Sequence, residues 1–207
     1  MTTAAWHHEL VSADLSELAR PRRGHFDLGT GYHGDLWLEL DGLFLWPARI
    51  RPAAQNLAGH LREYQPAAVC GPVAGGAFLA QMVAEELGGE FLFAEQFSRP
   101  GGGLYPVGYR IPDALRPDAR GKATAVVDDV INAGSAVRGS LADLHACGAR
   151  PVALGALLVL GASASACAAG EGVPLEYLAC RANTLWEPAA CPCCAVGVPL
   201  EGVPDGA

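Results

Sequence analysis

Between Ala123 and Gly139 the sequence reads ATAVVDDVINAGSAVRG: a mostly apolar run, two acids, a turn of small residues, then the start of a helical pattern. An apolar run without polar alternation is a strand covered on both faces, which a parallel sheet flanked by helices provides. The acids mark where that strand leaves the core. After them, Val137, Leu141 and Leu144 share one helical face and Gly148 ends the pattern. The same order recurs upstream and downstream. Strands are expected near Ala67–Cys70, Glu90–Glu95, Ala123–Asp128 and Pro151–Leu160, with helices at Pro52–Glu63, Gly76–Leu87 and Ser135–Cys147. The fold class is therefore α/β.

The two ends differ from this centre. Residues 1–50 hold aromatic and glycine residues in short extended pieces (FDLGTGYHGDLWLEL), and the last 35 residues are rich in Pro, Cys and Gly. The expected division is an N-terminal cap segment at 1–50, an α/β core at 51–165 and a C-terminal segment with a Cys-rich tail at 166–207. Within the last, Ala162–Gly172 (ASASACAAGEG) lacks side chains that pack and reads as a loop.

A net charge of −8 speaks against a nucleic-acid partner, because duplex binding rests on clustered Lys and Arg. It leaves room for a small anion held by backbone N–H groups at a helix start. No run of eighteen apolar residues and no basic-then-apolar leader over Met1–Leu10 is present, so a cytoplasmic protein with no membrane partner is expected.

Ligands of parallel α/β sheets sit beyond the carboxyl ends of strands. Ala133, Gly134, Ser135 and Ala136 are small enough for an oxyanion to approach the backbone there, and the Ser135 hydroxyl adds a donor. Asp128 and Asp129, one step earlier, suit a ribose diol and bring negative charge toward a cationic sugar. Taken singly, the same residues also fit solvated strand-end acids followed by an ordinary turn.

In its combined order, VVDDVINAGSA resembles the 5-phosphoribosyl 1-pyrophosphate (PRPP) signature of type I phosphoribosyltransferases, with Asn132 where Thr is usual. The run Cys70-Gly71-Pro72-Val73-Ala74-Gly75-Gly76 resembles the pyrophosphate loop of the orotate branch of that family. Phe26–Leu38 is similar to its N-terminal segment over the base, and VPLEYL at 173–178 to its late hood strand. The likeness spans about residues 24–180. It implies a central parallel sheet flanked by helices, with a small hood formed by the N- and C-terminal segments. It implies that Asp128 and Asp129 hold the ribose hydroxyls, Asn132–Ala136 the 5-phosphate, and Gly71, Pro72, Val73, Ala74, Gly75 and Gly76 the pyrophosphate. Thr30, Gly31 and Tyr32 would meet the base. Mg²⁺ with PRPP, a heterocyclic base as second substrate and a homodimer are implied as well. The function that follows is transfer of the phosphoribosyl group to a nitrogen heterocycle; the alternative is a non-catalytic PRPP or nucleotide-binding regulator.

Two departures bear on that choice. Glu95 and Gln96 stand where the orotate branch carries an Arg-Lys pair, and Lys122 is the only lysine among the fourteen Lys and Arg residues. Arg99, as the catalytic candidate, and Arg110 are left to neutralise pyrophosphate. After Leu160 the chain continues Gly161-Ala162 instead of the family's Asp-Arg, which leaves Arg181 as the candidate partner for an acidic base.

Seven cysteines make an odd count. Cys191, Cys193 and Cys194, with Cys180 eleven positions before Cys191, supply four thiols for one structural Zn²⁺; reduced thiols and a redox pair are the alternatives.

Overall fold

The computed structural model describes residues 19–28, 31–40, 42–98 and 107–202. A six-stranded sheet forms the centre, built from β3 (Ala68–Pro72), β4 (Glu90–Ser98), β5 (Val107–Arg110), β6 (Ala123–Ile131), β7 (Arg150–Leu160) and β8 (Leu175–Arg181) in the order β5-β4-β3-β6-β7-β8. Every neighbouring pair is parallel except β4 and β5, which form an antiparallel edge. A second sheet of three strands, β1 (Pro21–Asp27), β2 (His33–Leu38) and β9 (Leu185–Trp186), joins the two ends of the chain in the order β1-β2-β9. The central sheet flanked by helices expected from the sequence is present, but VPLEYL at 173–178, expected as a hood strand, instead leads into β8 of the large sheet, where it pairs in parallel with β7.

Helices α1 (Pro47–Leu61) and α2 (Gly75–Leu87) cover one face of the large sheet. Ile50, Leu57, Leu61, Leu79 and Val83 pack there on Val69, Val127 and Leu157. The opposite face carries α4 (Ser135–Ala146) and α5 (Ser163–Glu171), where Val137, Leu141 and Leu144 meet Val126, Leu154 and Val159. The short α3 (Arg116–Ala119) leads into β6. Full burial of side chains such as Leu57, Leu141 and Leu154 contributes about 1.5–3 kcal/mol each before the entropy of ordering is counted. A smaller cluster, in which Leu36 and Leu38 of the hood meet Leu158, Leu160 and Ala179, fixes the hood over the carboxyl end of β7.

Two further expectations are corrected. The stretch Ala162–Gly172 is not a loop, because Ser163–Glu171 forms α5 and Gly172 closes it at φ +66°. Its residues lack an amphipathic stripe, but Ala favours helix, and Ala164, Cys167 and Ala168 are small enough to sit directly on the sheet. The first helix begins at Pro47, five residues before the expected Pro52, which lies inside it. Pro52 deprives the Ala48 carbonyl of its partner, and both residues are exposed, so water can serve that carbonyl.

Candidate functional site

The carboxyl ends of β3 and β6 lie side by side, since Cys70 pairs with Val126. Each strand then delivers a short turn into a helix, and the start of α2 at Gly75 and Gly76 packs against Asp129 and Asp128 of β6. Asp128 and Asp129 lie in the second half of β6, which runs on to Ile131, and are only 7% and 8% exposed. Their carboxylates accept hydrogen bonds from the following backbone, from Asp129 N at 3.1 Å and from Val130 N at 2.8 Å. Burial, then the adjacent charge of Asp129 and its hydrogen bond, raise the Asp128 carboxyl well above the usual range, with the Asp129 N–H pulling the other way. Tyr109 of β5 is pushed up to about 12 by burial and by the charge of Asp128.

Glycine is required opposite these acids. A Cβ at Gly76 would stand 2.6 Å from Asp128 Oδ1, and one at Gly75 would overlap the Asp129 carboxylate. At the end of β3, a Cβ on Gly71 would overlap the Gly76 carbonyl. The turn from Pro72 through Val73 and Ala74 into α2 can therefore fold back on its own strand only with glycine on both sides. Val73 and Ala74 stay exposed at its tip.

The second turn, Asn132–Gly134, ends with Gly134 at φ +75° as the N-cap of α4. The first intrahelical bond runs from Arg138 N to the Gly134 carbonyl at 3.0 Å. The N–H groups of Ser135, Ala136 and Val137 precede it and lie at the positive end of the helix dipole. Arg138, one turn into α4, donates back to the Ala133 carbonyl. Asn132 Oδ1 accepts a bond of 2.7 Å from Asn183 Nδ2, 51 residues away in the hood. Neither Arg138 nor Asn183 stood out in the sequence. Arg138 follows Gly134 at the i+4 spacing of a helix start, a usable signal, whereas nothing local marks Asn183.

Between this turn and the hood lies a cavity of about 240 Å³, lined by Leu36, Trp37, Leu38, Glu39, Asn132 and Leu160 among others. Among the described residues that line it, Glu39 is the charged one. Trp37 Nε1 is buried without a hydrogen-bond partner among the described residues. Of the residues expected to meet a base, Gly31 and Tyr32 lie in the β1–β2 turn and do not line the cavity. Thr30 lies outside the described residues, as does Arg99. Arg181 is exposed at the end of β8, paired in register with Leu160. Arg110 pairs with Glu95 across the β4–β5 edge and lays its guanidinium 5.8 Å from the Phe97 ring centroid.

The four-thiol metal set is corrected. Cys191 and Cys194 face His25 and His33, and these four ligand atoms all lie within 4.8 Å of one another. Cys180 belongs to β8 in the other sheet, and Cys193, one step round the short helix α6 (Pro192–Ala195) from Cys194, takes a different direction. The histidines are eight residues apart on the β1–β2 hairpin; two histidines there and a distant Cys-x-x-Cys pair were the available signal.

Comparison with known proteins agrees with this architecture. Residues 40–169 match the family model for the phosphoribosyl transferase domain. The chain is 33% identical over 192 residues to an orotate phosphoribosyltransferase of Thermotoga petrophila, covering 93% of this chain and 96% of that one. Among solved structures it is similar to orotate phosphoribosyltransferase from Aeropyrum pernix, at TM-score 0.60 and 24% identity, over 82% of this chain and 93% of that one. It also resembles an adenine phosphoribosyl transferase from Trypanosoma brucei, solved in complex with AMP, pyrophosphate and ribose-5-phosphate. There the TM-score is 0.64 at 15% identity, over 82% of this chain and 79% of the other.

Proposed function

The chain belongs to the phosphoribosyltransferase family, and from that premise we propose that it moves the phosphoribosyl group of PRPP to a ring nitrogen of a heterocyclic base and releases pyrophosphate. The observation that carries this reading is the close packing of Gly75 and Gly76, at the start of α2, against the buried carboxylates of Asp129 and Asp128. In this reading Asn132–Ala136 take the 5-phosphate on the α4 N-terminus, the two acids hold the ribose diol, and Gly71–Gly76 pass backbone N–H groups to the pyrophosphate.

Positive charge grows on the sugar C1 as its bond to pyrophosphate oxygen breaks and a bond to the base nitrogen forms. The Asp pair stabilises that charge, and the cavity under the hood aligns the base for attack. Mg²⁺ bound with PRPP would screen the departing pyrophosphate, and the hard carboxylate oxygens of Asp128 and Asp129 suit such an ion. We assign Arg99 and Arg110 to the leaving group and the Trp37 N–H to a carbonyl on the base. Leu45, Trp46, Val73 and Phe78 are large apolar side chains left exposed, and we assign them to a homodimer contact.

Orotate is the base named for the Thermotoga relative, and that acceptor would place the chain in pyrimidine nucleotide synthesis. The lining of the cavity favours an acceptor without a carboxylate: among the described residues that line it the charged one is Glu39, and Arg181 is not among them. A second reading, a PRPP-binding regulator without turnover, is favoured by the exposed Glu95 and Gln96 at the positions of the missing basic pair.

Binding is tested by thermal denaturation with PRPP and Mg²⁺. A ligand that binds only the folded chain raises Tm with its concentration. A rise with PRPP that the Asp128→Asn, Asp129→Asn double variant does not show supports the assignment, and no rise at millimolar PRPP contradicts it.

A further inference from the structure

His25 on β1 and His33 on β2 point toward one another from an antiparallel pair, with ring centroids 5.1 Å apart at 67°. Between them His25 Nε2 stands 3.2 Å from His33 Nδ1. The tail adds two sulfurs: Cys191 Sγ is 3.3 Å from His25 Nε2, and Cys194 Sγ is 3.7 Å from the same atom and 3.4 Å from His33 Nδ1. Three of the four residues are buried.

Hydrogen bonding alone does not account for this convergence. His25 Nδ1 lies 2.9 Å from the Val198 carbonyl, which can only accept, so the proton sits on Nδ1. A neutral ring then leaves Nε2 one in-plane lone pair, yet three neighbours crowd it. A cation at the centre satisfies all four groups at once. Tetrahedral zinc, with Zn–N bonds of about 2.0–2.1 Å and Zn–S bonds of about 2.3 Å, separates its ligands by about 3.3–3.4 Å for N···N and about 3.6 Å for N···S. The observed separations, 3.2 Å for the nitrogens and 3.3 to 3.7 Å for nitrogen to sulfur, are those of such a tetrahedron.

We propose that His25, His33, Cys191 and Cys194 form a closed structural Zn²⁺ site that ties the N-terminal hairpin to the C-terminal tail. Two thiolates and two imidazoles are a donor set for zinc, and Cys-x-x-Cys is a common half-site for it. The Val198 carbonyl supplies the outer contact that fixes the tautomer of a ligating histidine. All four positions come from the protein, which leaves no place for a reacting water, so the role is structural.

The tail has little else to hold it. Helix α6 is one turn long and buries no side chain, while Val196, Val198 and Leu200 are exposed. Among the described residues its further ties to the hairpin include, besides the Val198 carbonyl on His25, the backbone bonds Asp27 N to Glu201 O and Glu201 N to His25 O, both 2.8 Å, and an exposed ion pair between Arg22 and Glu201. Strand β2 carries His33 at one end and Leu36, Trp37 and Leu38 of the cavity wall at the other, so the ion also braces that wall. The site does not depend on the transferase reading.

The test is the metal content of the full-length chain purified from zinc-supplemented culture, measured by mass spectrometry. About one zinc per chain is expected, lost in Cys194→Ser and retained in Cys193→Ser and Cys180→Ser. Because a cluster variant can also fail to fold, the wild-type chain is read separately after exchange with Co²⁺, which should give the thiolate charge-transfer and d–d bands of a tetrahedral S₂N₂ site. A wild-type chain that holds no zinc and gives no such cobalt spectrum overturns the proposal. So does a chain that keeps its zinc in Cys194→Ser but loses it in Cys193→Ser.

Discussion

Asn183 of the hood donates to Asn132 of the phosphate turn at 2.7 Å, so the C-terminal segment is bonded directly to the loop assigned to the 5-phosphate. The bond crosses from one sheet's surroundings to the other's and orients the Asn132 carboxamide. Asn183→Ala should leave the fold intact and raise KM for PRPP roughly three- to tenfold with kcat little changed, the scale of one neutral hydrogen bond of about 0.5–1.5 kcal/mol. Steady-state kinetics with PRPP varied checks this; an unchanged KM would mean that the bond only anchors the hood.

Asp129 is expected to matter more to turnover than to folding. Asp129→Asn keeps an acceptor for Val130 N and removes the charge that we assign to the sugar. A loss in kcat of about tenfold to a thousandfold is predicted, the range for one electrostatic contact in a water-poor site. Circular dichroism and kcat measured on one preparation separate this from a structural effect; full activity with the fold intact would remove Asp129 from the mechanism.

Asp128 carries a pH signature. Burial and the neighbouring acid raise its folded-state value, so between the ordinary carboxylate range and that raised value the folded chain binds more protons than the unfolded one. This contribution to stability is greatest at low pH and is lost as pH rises through the window. Asp128→Asn keeps the acceptor for Asp129 N without a titrating charge. It should melt higher than wild type without ligand at neutral pH, by about 2–4 °C for an effect near 1 kcal/mol in a domain of this size. The gain should shrink toward pH 4 while PRPP affinity falls. Melting curves from pH 4 to 8 decide it, and a variant less stable than wild type at pH 7 would contradict the account.

How far the sequence could be read follows from which contacts are local. The strand, acid pair, small turn and helix from Ala123 to Ala146 were legible because β6 is covered on both faces and opens with a mostly apolar run, while α4 shows an apolar stripe. Helix α5 was not, since it packs by the smallness of Ala164 and Ala168 and has no stripe to recognise. Pro52 hid the first turn of α1 because a proline usually marks a helix start, and here exposure tolerates it one turn inside. The Cys-x-x-Cys half of the proposed metal cluster was visible, but its partners lie 158 to 169 positions away, and only the pairing of β1 with β2 and their contact with the tail bring them together. The Asn132–Asn183 bond was hidden for the same reason.

The most direct measurement of the central claim is PRPP-dependent pyrophosphate release by the purified chain with Mg²⁺, across a panel that includes orotate, uracil and purine bases. Release that requires a base, with an uncharged heterocycle at least about tenfold better than orotate in kcat/KM, is the predicted result. The margin is modest because one poorly compensated charge is worth about 1–3 kcal/mol in such a site. Efficient orotate turnover would bring Arg181 into the base site and overturn the reading of the cavity wall. PRPP binding with no release for any base would contradict the transferase assignment itself and leave the regulator.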